Sequence, residues 1–348
     1  MNPTRSLRPI CCFIVPPGVL RRYSRDASLD DATRKQMQDS YLETERLRGL
    51  REAHRVATLR DPEHQKRGKK PQQAHEPEQH LFDCAHRRSL PGKPATKTVD
   101  GFATVFNTTA KLAEFYKTVL GRNSIDNRGL DLVSSLHYGK HYDNAFWNGN
   151  QMVYGDGDGK VFTEMYLSPD VIGHELTHGV TQNESALRYE GESGALNESI
   201  SDAFGVVFNQ WLNQWSVTEP DAWLVGAGII APAARAEGYT CLRDMAQPKG
   251  KHTMSQQPDR YQDVDPTADV HDNSGVPNKA FALFAKALGG QAWTLAIKVW
   301  YDACLSRQLR SDATFSEFAT TTVASALKLG EQAAESKCKA AWQEVGVL

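Results

Sequence analysis

What the 348-residue chain lacks narrows its class before any motif is considered. No run approaches the ~18 consecutive apolar residues of a membrane span. The amino end has only an apolar island, Ile10 to Val15, closed by Pro16-Pro17, too short for the core of a standard secretory signal. Cysteine is scarce: Cys11, Cys12, Cys84, Cys241, Cys304 and Cys338 form no CxxC pair and are too sparse for a disulfide framework, so buried thiols are expected. A basic body is missing too. The net charge of −2 divides into 20 Lys and Arg against 13 Asp and Glu in residues 1–100, and 20 against 29 in the rest. Nucleic-acid binding would need the positive charge on the folded body. A basic leader on an acidic body instead suggests an intramolecular partner or a processed segment.

The remaining composition is that of an ordinary globular protein, 40% hydrophobic and 24% charged. At this length two subdomains are the natural expectation. Residues 29–59 read as one charged amphipathic helix with a thin stripe of Met37, Tyr41 and Leu47. Residues 60–80 contain no hydrophobe beyond a single Ala and read as a linker open to proteolysis. "LVSSLHYG" and "NAFWNGNQMVYGDGDG" alternate β-prone runs with Asn-Gly and Gly-Asp-Gly turns. From 169 onward the pattern is helical, opening with Ser168 as N-cap and Pro169 at the first helical position. Further helices are expected at 277–289, 292–309, 314–329 and 331–345. The fold class is α+β, a β-rich half followed by a helical half.

The chemistry concentrates in "SPDVIGHELTHGVTQNESALRYEGESGALNESISD". His174 and His178 are four residues apart, so on a helix both imidazoles leave one face. That is two ligands, and a catalytic zinc takes three plus an open position. Glu198 and Asp202, also spaced by four, lie opposite the stripe Ile200, Phe204, Val207 and Trp211. Two carboxylates on a mostly buried face are costly without a cation. Glu198 can therefore complete a His-His-Glu site, and Asp202 can accept the second ring N–H of a ligand histidine. Glu175, ~100° from His174 around the helix, is placed to act as general base on a water. An HExxHxxGxxH site is ruled out, since Thr181 and Glu184 stand at its Gly and His positions.

With these residues in the order HELTH, GALNESISD, "NAFWNGNQMVYGDGDG" and "HDNSGVPNKAF", the chain resembles the thermolysin family of zinc endopeptidases over about residues 100–348. Its start, "IVPPGVLRRYSRD", resembles the short propeptide of the protealysin-type branch, departing from it at Gly18. The resemblance implies a two-subdomain gluzincin fold with the zinc cleft between the halves. The expected divisions are a leader at 1–59, a processing region at 60–80, a β-rich subdomain at 81–190 and a helical one at 191–348.

It further implies one zinc on His174, His178 and Glu198, with Glu175 as base and Asp202 and Asn197 orienting the histidines. Tyr189 and His271 would donate to the oxyanion. Arg243 would hold a substrate carbonyl, and Asn144 and Ala145 would pair with substrate backbone. Phe162, Met165, Val171 and Leu242 would line an apolar pocket for a bulky residue after the scissile bond. The run before His271 is "DVDPTADVH", where the family has Asp-x-Gly-Gly-Val-His, and Asp269 is the nearer orienting carboxylate. Of the family's calcium ligands Asp170 and Asp221 remain, while Asn209, Leu224 and Ala227 replace acids, so tight double-calcium binding is not expected. The function expected is a neutral endopeptidase made as a zymogen, monomeric and inhibited by its own leader. Release by a non-classical route is favoured over cytoplasmic residence. The alternatives are a zinc aminopeptidase, for which no GAMEN-like motif is found, and an inactive zinc-bound interaction protein.

Overall fold

The structure, a computed structural model, describes residues 12–60 and 75–348. Cys11 and most of the expected linker, 61–74, lie outside the described residues. The chain opens with a two-residue strand β1 (Cys12–Phe13), a short helix α1 (Pro17–Tyr23) and the long α2 (Asp31–Arg60). There follow β2 (Gln79–Asp83), β3 (Lys93–Pro94), α3 (Asp100–Leu120), β4 (Leu132–Leu136), β5 (Ala145–Trp147) and β6 (Met152–Tyr154). The six strands form one mixed sheet in the order β1-β5-β6-β4-β2-β3. β2 and β6 run parallel to β4, and the other neighbours are antiparallel.

The second half is helical: α4 (Pro169–Asn183), α5 (Gly191–Asn213), α6 (Pro232–Ala236), α7 (Val270–Asn273), α8 (Gly275–Leu288), α9 (Ala296–Leu305) and α10 (Phe315–Glu344). A small antiparallel pair, β7 (Leu224–Val225) and β8 (Arg243–Asp244), interrupts it. This is the α+β arrangement read from the sequence. The two helices expected at 314–329 and 331–345 are continuous except for a break at Gly330 and Glu331, where the backbone leaves the helical region. Ser168 does stand at the N-cap of α4, yet its hydroxyl does not cap; it donates to Asp170 and accepts the Gly228 N–H.

Helices α4 and α5 cross at glycines. A Cβ on Gly205 would lie 2.4 Å from the Asp170 carbonyl oxygen and 3.1 Å from the His174 nitrogen. The absence of side chains there lets the two site-bearing helices approach backbone to backbone. Their apolar faces, including Val171, Ile172, Leu176, Leu196, Ile200, Phe204 and Val207, are buried in one continuous core.

The leader packs as part of this body. Val19, Leu20, Tyr23 and Met37 enter the main core, and Phe13 and Leu47 join a second cluster with Tyr138, Tyr142 and Phe146. The stripe on α2 is less apolar than the sequence suggested, because Ser40, Glu43 and Thr44 are also buried on it. Ser40 Oγ donates to Asp143 Oδ2 at 3.0 Å, and Thr44 Oγ1 meets the Tyr142 hydroxyl at 3.0 Å. Glu43 accepts from the Tyr138 hydroxyl at 2.7 Å and from Arg88 at 3.2 Å. The expected polarity, positive leader on negative body, is therefore only partly present among the described residues. Arg48–Asp269 has it, at 2.7 Å, whereas Glu43–Arg88 and Asp30–Lys160 reverse it.

Candidate active site

Pro169 starts α4 and the i, i+4 spacing carries His174 and His178 to one side of it, toward α5. Their Nε2 atoms stand 3.0 Å apart. Glu198, from α5, brings its carboxylate oxygens to 3.4 Å from His174 Nε2 and 3.5 Å from His178 Nε2. One ligand atom from each of the three lies within 4.8 Å of the others, and all three residues are buried. Each outer ring nitrogen is already engaged. His174 Nδ1 meets Asp202 Oδ1 at 2.8 Å, and His178 Nδ1 meets Asn197 Oδ1 at 2.8 Å. These contacts turn both Nε2 atoms inward, the arrangement by which a second layer orients metal ligands. Glu198 Oε2 and Glu175 Oε1 are buried with no hydrogen-bond partner among the described residues. Two inward ring nitrogens and a converging carboxylate fit a cation with an affinity for nitrogen and oxygen, and zinc is such an ion.

The electrostatics follow from burial and from this crowding. Burial lowers both imidazoles and takes His178 down to about 3. At His174 the burial is outweighed by Asp202 and Glu198, which push it up to about 10. Burial would raise Glu198, but His271, His178 and His174 hold it down near 2. Glu175 goes the other way. Burial, opposed by His174 and reinforced by Glu198, pushes its carboxyl well above the ordinary range. Its other oxygen, Oε2, accepts the Trp147 backbone N–H at 2.9 Å, which ties it to β5.

On the far wall Asp269 caps α7 by accepting the His271 N–H, and its Oδ1 also meets His271 Nδ1 at 2.5 Å. Asp265 is occupied by Thr267 instead, so Asp269 is the carboxylate in contact with His271. Tyr189 donates to Glu198 and lies 3.3 Å from His271 Nε2. Arg243, on β8, is fully buried and makes two hydrogen bonds to Asp202, at 2.9 and 2.7 Å. Asn144 precedes β5. Phe162, Met165, Val171 and Leu242 are all buried within the core cluster that contains Ile14 and Val15. The calcium residues are differently placed: Asp170 is buried and bonded to Ser168 and to the Gly226 N–H, and Asp221 is exposed. Cys12 pairs with Trp147 in the sheet and is not among the converging ligand atoms. Cys84, Cys241, Cys304 and Cys338 are buried free thiols.

The cleft is lined by leader backbone. Ile14 N–H donates to the Ala145 carbonyl at 3.2 Å, and Val15 N–H donates to Asn144 Oδ1 at 2.9 Å. Asn144 Nδ2 returns a bond to the Val15 carbonyl at 3.0 Å. Arg243 Nη1 donates to the Ile14 carbonyl at 2.9 Å, and His271 Nε2 lies 2.6 Å from the Phe13 carbonyl. Sequence reasoning missed several supporting contacts. Asn278 Nδ2 donates to Asp202 at 2.9 Å, Ser201 Oγ meets His178 Nδ1 at 3.1 Å, and Arg48 reaches Asp269 from the leader. No spacing rule links such distant positions; Asn278 lay inside the "HDNSGVPNKAF" run without a role attached to it.

A buried His-His-Glu cluster between a mixed sheet and a helical half, with a neighbouring glutamate, defines a metallopeptidase. Two family descriptions match the chain: "Thermolysin metallopeptidase, catalytic domain" over residues 28–182 and "Thermolysin metallopeptidase, alpha-helical domain" over 185–347. An extracellular metalloprotease of Pectobacterium carotovorum subsp. carotovorum is 35% identical, over 98% of this chain and 97% of its own length. Protease PrtS of a Photorhabdus species is 40% identical over 77% of this chain and 76% of that protein. Among solved structures, the precursor of protealysin, a metalloproteinase from Serratia proteamaculans, superposes with a TM-score of 0.82. It is 34% identical, and the match covers 97% of this chain and 100% of that one. The chain belongs to the thermolysin family, in its protealysin-type branch, and is a zinc metalloendopeptidase carrying a propeptide.

Proposed function

We propose that His174, His178 and Glu198 hold one zinc ion and that the enzyme cuts internal peptide bonds before a bulky hydrophobic residue. The observation that carries this is the convergence of two inward Nε2 atoms with the Glu198 carboxylate, next to a Glu175 Oε1 that has no hydrogen-bond partner among the described residues. Zinc, when bound, supplies a Lewis acid that polarises a carbonyl and makes a water acidic at neutral pH. The chain does the rest. Glu175, which lies beside the three ligands with Oε2 held by the Trp147 N–H, takes a proton from the attacking water and passes it to the leaving nitrogen. His271 and Tyr189 donate to the oxygen that gains charge. Asp269 keeps His271 turned toward the cleft, and Asp202 and Asn197 do the same for the ligand histidines.

Substrate backbone pairs with Asn144 and Ala145 and is held by Arg243, the contacts the leader now occupies. Phe162, Met165, Val171 and Leu242 supply the apolar surroundings of the residue after the cut. The leader, about residues 1–59, acts as an intramolecular inhibitor, because its strand fills these same positions. Action outside the cell is favoured by the extracellular relative.

The test combines metal analysis with hydrolysis of a peptide blocked at its amino end, after the leader has been removed. One zinc per chain, loss of activity with a chelator and recovery with zinc are expected. Cutting only of free amino termini would replace the reading by an aminopeptidase, and a zinc-loaded, leader-free body without activity would make it a binding protein.

A further inference from the structure

The leader does more than cover the cleft: its backbone is threaded in a definite register. β1 runs antiparallel to β5, pairing Cys12 with Trp147 and Phe13 with Phe146. The Phe13 carbonyl meets His271 Nε2 at 2.6 Å, the Ile14 N–H meets the Ala145 carbonyl at 3.2 Å, and the Ile14 carbonyl receives Arg243 at 2.9 Å. Val15 is gripped at both its N–H and its carbonyl by the Asn144 amide. The group that donates to the reacting carbonyl is thus on Phe13, and the group that holds the next carbonyl is on Ile14. The side chains divide between the two clusters. Phe13 packs against Phe146 in the minor cluster, ring centroids 5.5 Å apart and planes tilted by 47°, while Ile14 and Val15 are buried in the main core. His271 Nε2 is in turn 3.4 Å from Glu198, so the Phe13 carbonyl sits beside the ligand set.

We infer that the Phe13–Ile14 bond lies in the scissile position and that the zinc-loaded chain hydrolyses it in cis, creating a new amino terminus at Ile14. This rests on the endopeptidase reading above. The step balances as follows. Water oxygen bonds to the Phe13 carbonyl carbon and gives a proton to Glu175. The carbon–nitrogen bond breaks as the Ile14 nitrogen receives that proton and leaves as an amine; the acid formed on Phe13 then gives the remaining water proton to that amine, leaving a carboxylate and an ammonium group. Because α1 and α2 stay docked through Val19, Leu20, Tyr23 and Met37, this first cut trims the amino end without freeing the rest of the leader. The strand also states the substrate class: an aromatic residue before the cut and β-branched aliphatic residues in the next two positions.

The experiment uses the full chain, purified without metal. Hydrogen exchange of the metal-free protein comes first: the Ile14 and Val15 amides should be protected, and Asn144→Ala should expose Val15 selectively. Zinc is then added and the intact mass followed. The expected product begins at Ile14, forms at a rate independent of protein concentration, and is absent from Glu175→Gln. A zinc-loaded chain that cuts itself elsewhere, or turns over a blocked peptide, while Phe13–Ile14 stays whole overturns the inference and leaves the endopeptidase reading intact. A chain that holds zinc and cuts nothing, even after its leader is removed, overturns both. Unprotected Ile14 and Val15 amides overturn the register whatever the activity.

Discussion

At the scale of single residues, the proposed mechanism divides the site into groups that touch the reaction and groups that hold them. Glu175 is the clearest of the first kind. Glu175→Gln should lower kcat by several orders of magnitude while zinc content stays at one per chain, because no ligand atom is changed. Retained activity in that variant would remove it from the mechanism. Asp202 is of the second kind, bonded at once to His174, Arg243 and Asn278. Asp202→Ala leaves Arg243 buried without its counter-charge, a class of change that costs about 3–5 kcal/mol. A large fall in Tm together with weakened zinc binding is expected. A Tm within a degree of wild type would show that the Arg243 charge is compensated elsewhere.

At the scale of elements, the site depends on how closely α4 and α5 approach. Gly205→Ala puts a methyl 2.4 Å from the Asp170 carbonyl, and overpacking of this sort costs roughly 1–3 kcal/mol. Since the shift opens the gap between His174 and Glu198, zinc affinity should fall along with Tm; a drop in Tm with unchanged zinc affinity would locate the strain elsewhere. The HExxH spacing and the downstream carboxylate pair were legible in the sequence because both partners of each lie on one helix. Contacts that join different elements were not: Trp147 to Glu175 and Arg48 to Asp269 span 28 and 221 residues. Helix α3 was missed too. Its buried Phe102, Val105, Leu112, Phe115 and Tyr116 follow a helical spacing, but Asn107, Thr108 and Thr109 in the middle are weak helix formers. Packing decides that segment. Cys12 and Phe13, read in the sequence as part of an apolar island too short for a signal core, form the strand in the cleft, a pairing that no local property announces.

At the scale of the whole molecule, the leader is held by burial and by a few buried polar contacts more than by its net charge. Cutting the 61–74 segment after folding and removing the leader should raise activity, and leader added back should inhibit. Raising salt should weaken that inhibition only modestly, since the ion pairs with exposed members contribute little. A hundredfold salt effect would restore the electrostatic view. Acid should act through Glu43. Burial would raise this carboxyl, but Arg46, Tyr138 and Arg88 outweigh it and hold it below its ordinary value. A lowered pKa contributes docking stability that is present above the ordinary carboxylate range and is lost as pH falls through the docked pKa. Leader release should therefore steepen with falling pH below that range, and Glu43→Gln should flatten the slope; an unchanged slope would assign the acid response to other groups. The docked leader, which keeps Ile14 and Val15 on Asn144 and Arg243 even after a cut at Phe13–Ile14, finally sets a concentration. A tethered strand faces the cleft at an effective level on the order of millimolar, whatever the dilution of the protein. Free peptides at micromolar levels compete poorly against such an occupant, so the rate seen outside reports the fraction of chains that have lost their tether, and activation counts molecules instead of grading each one.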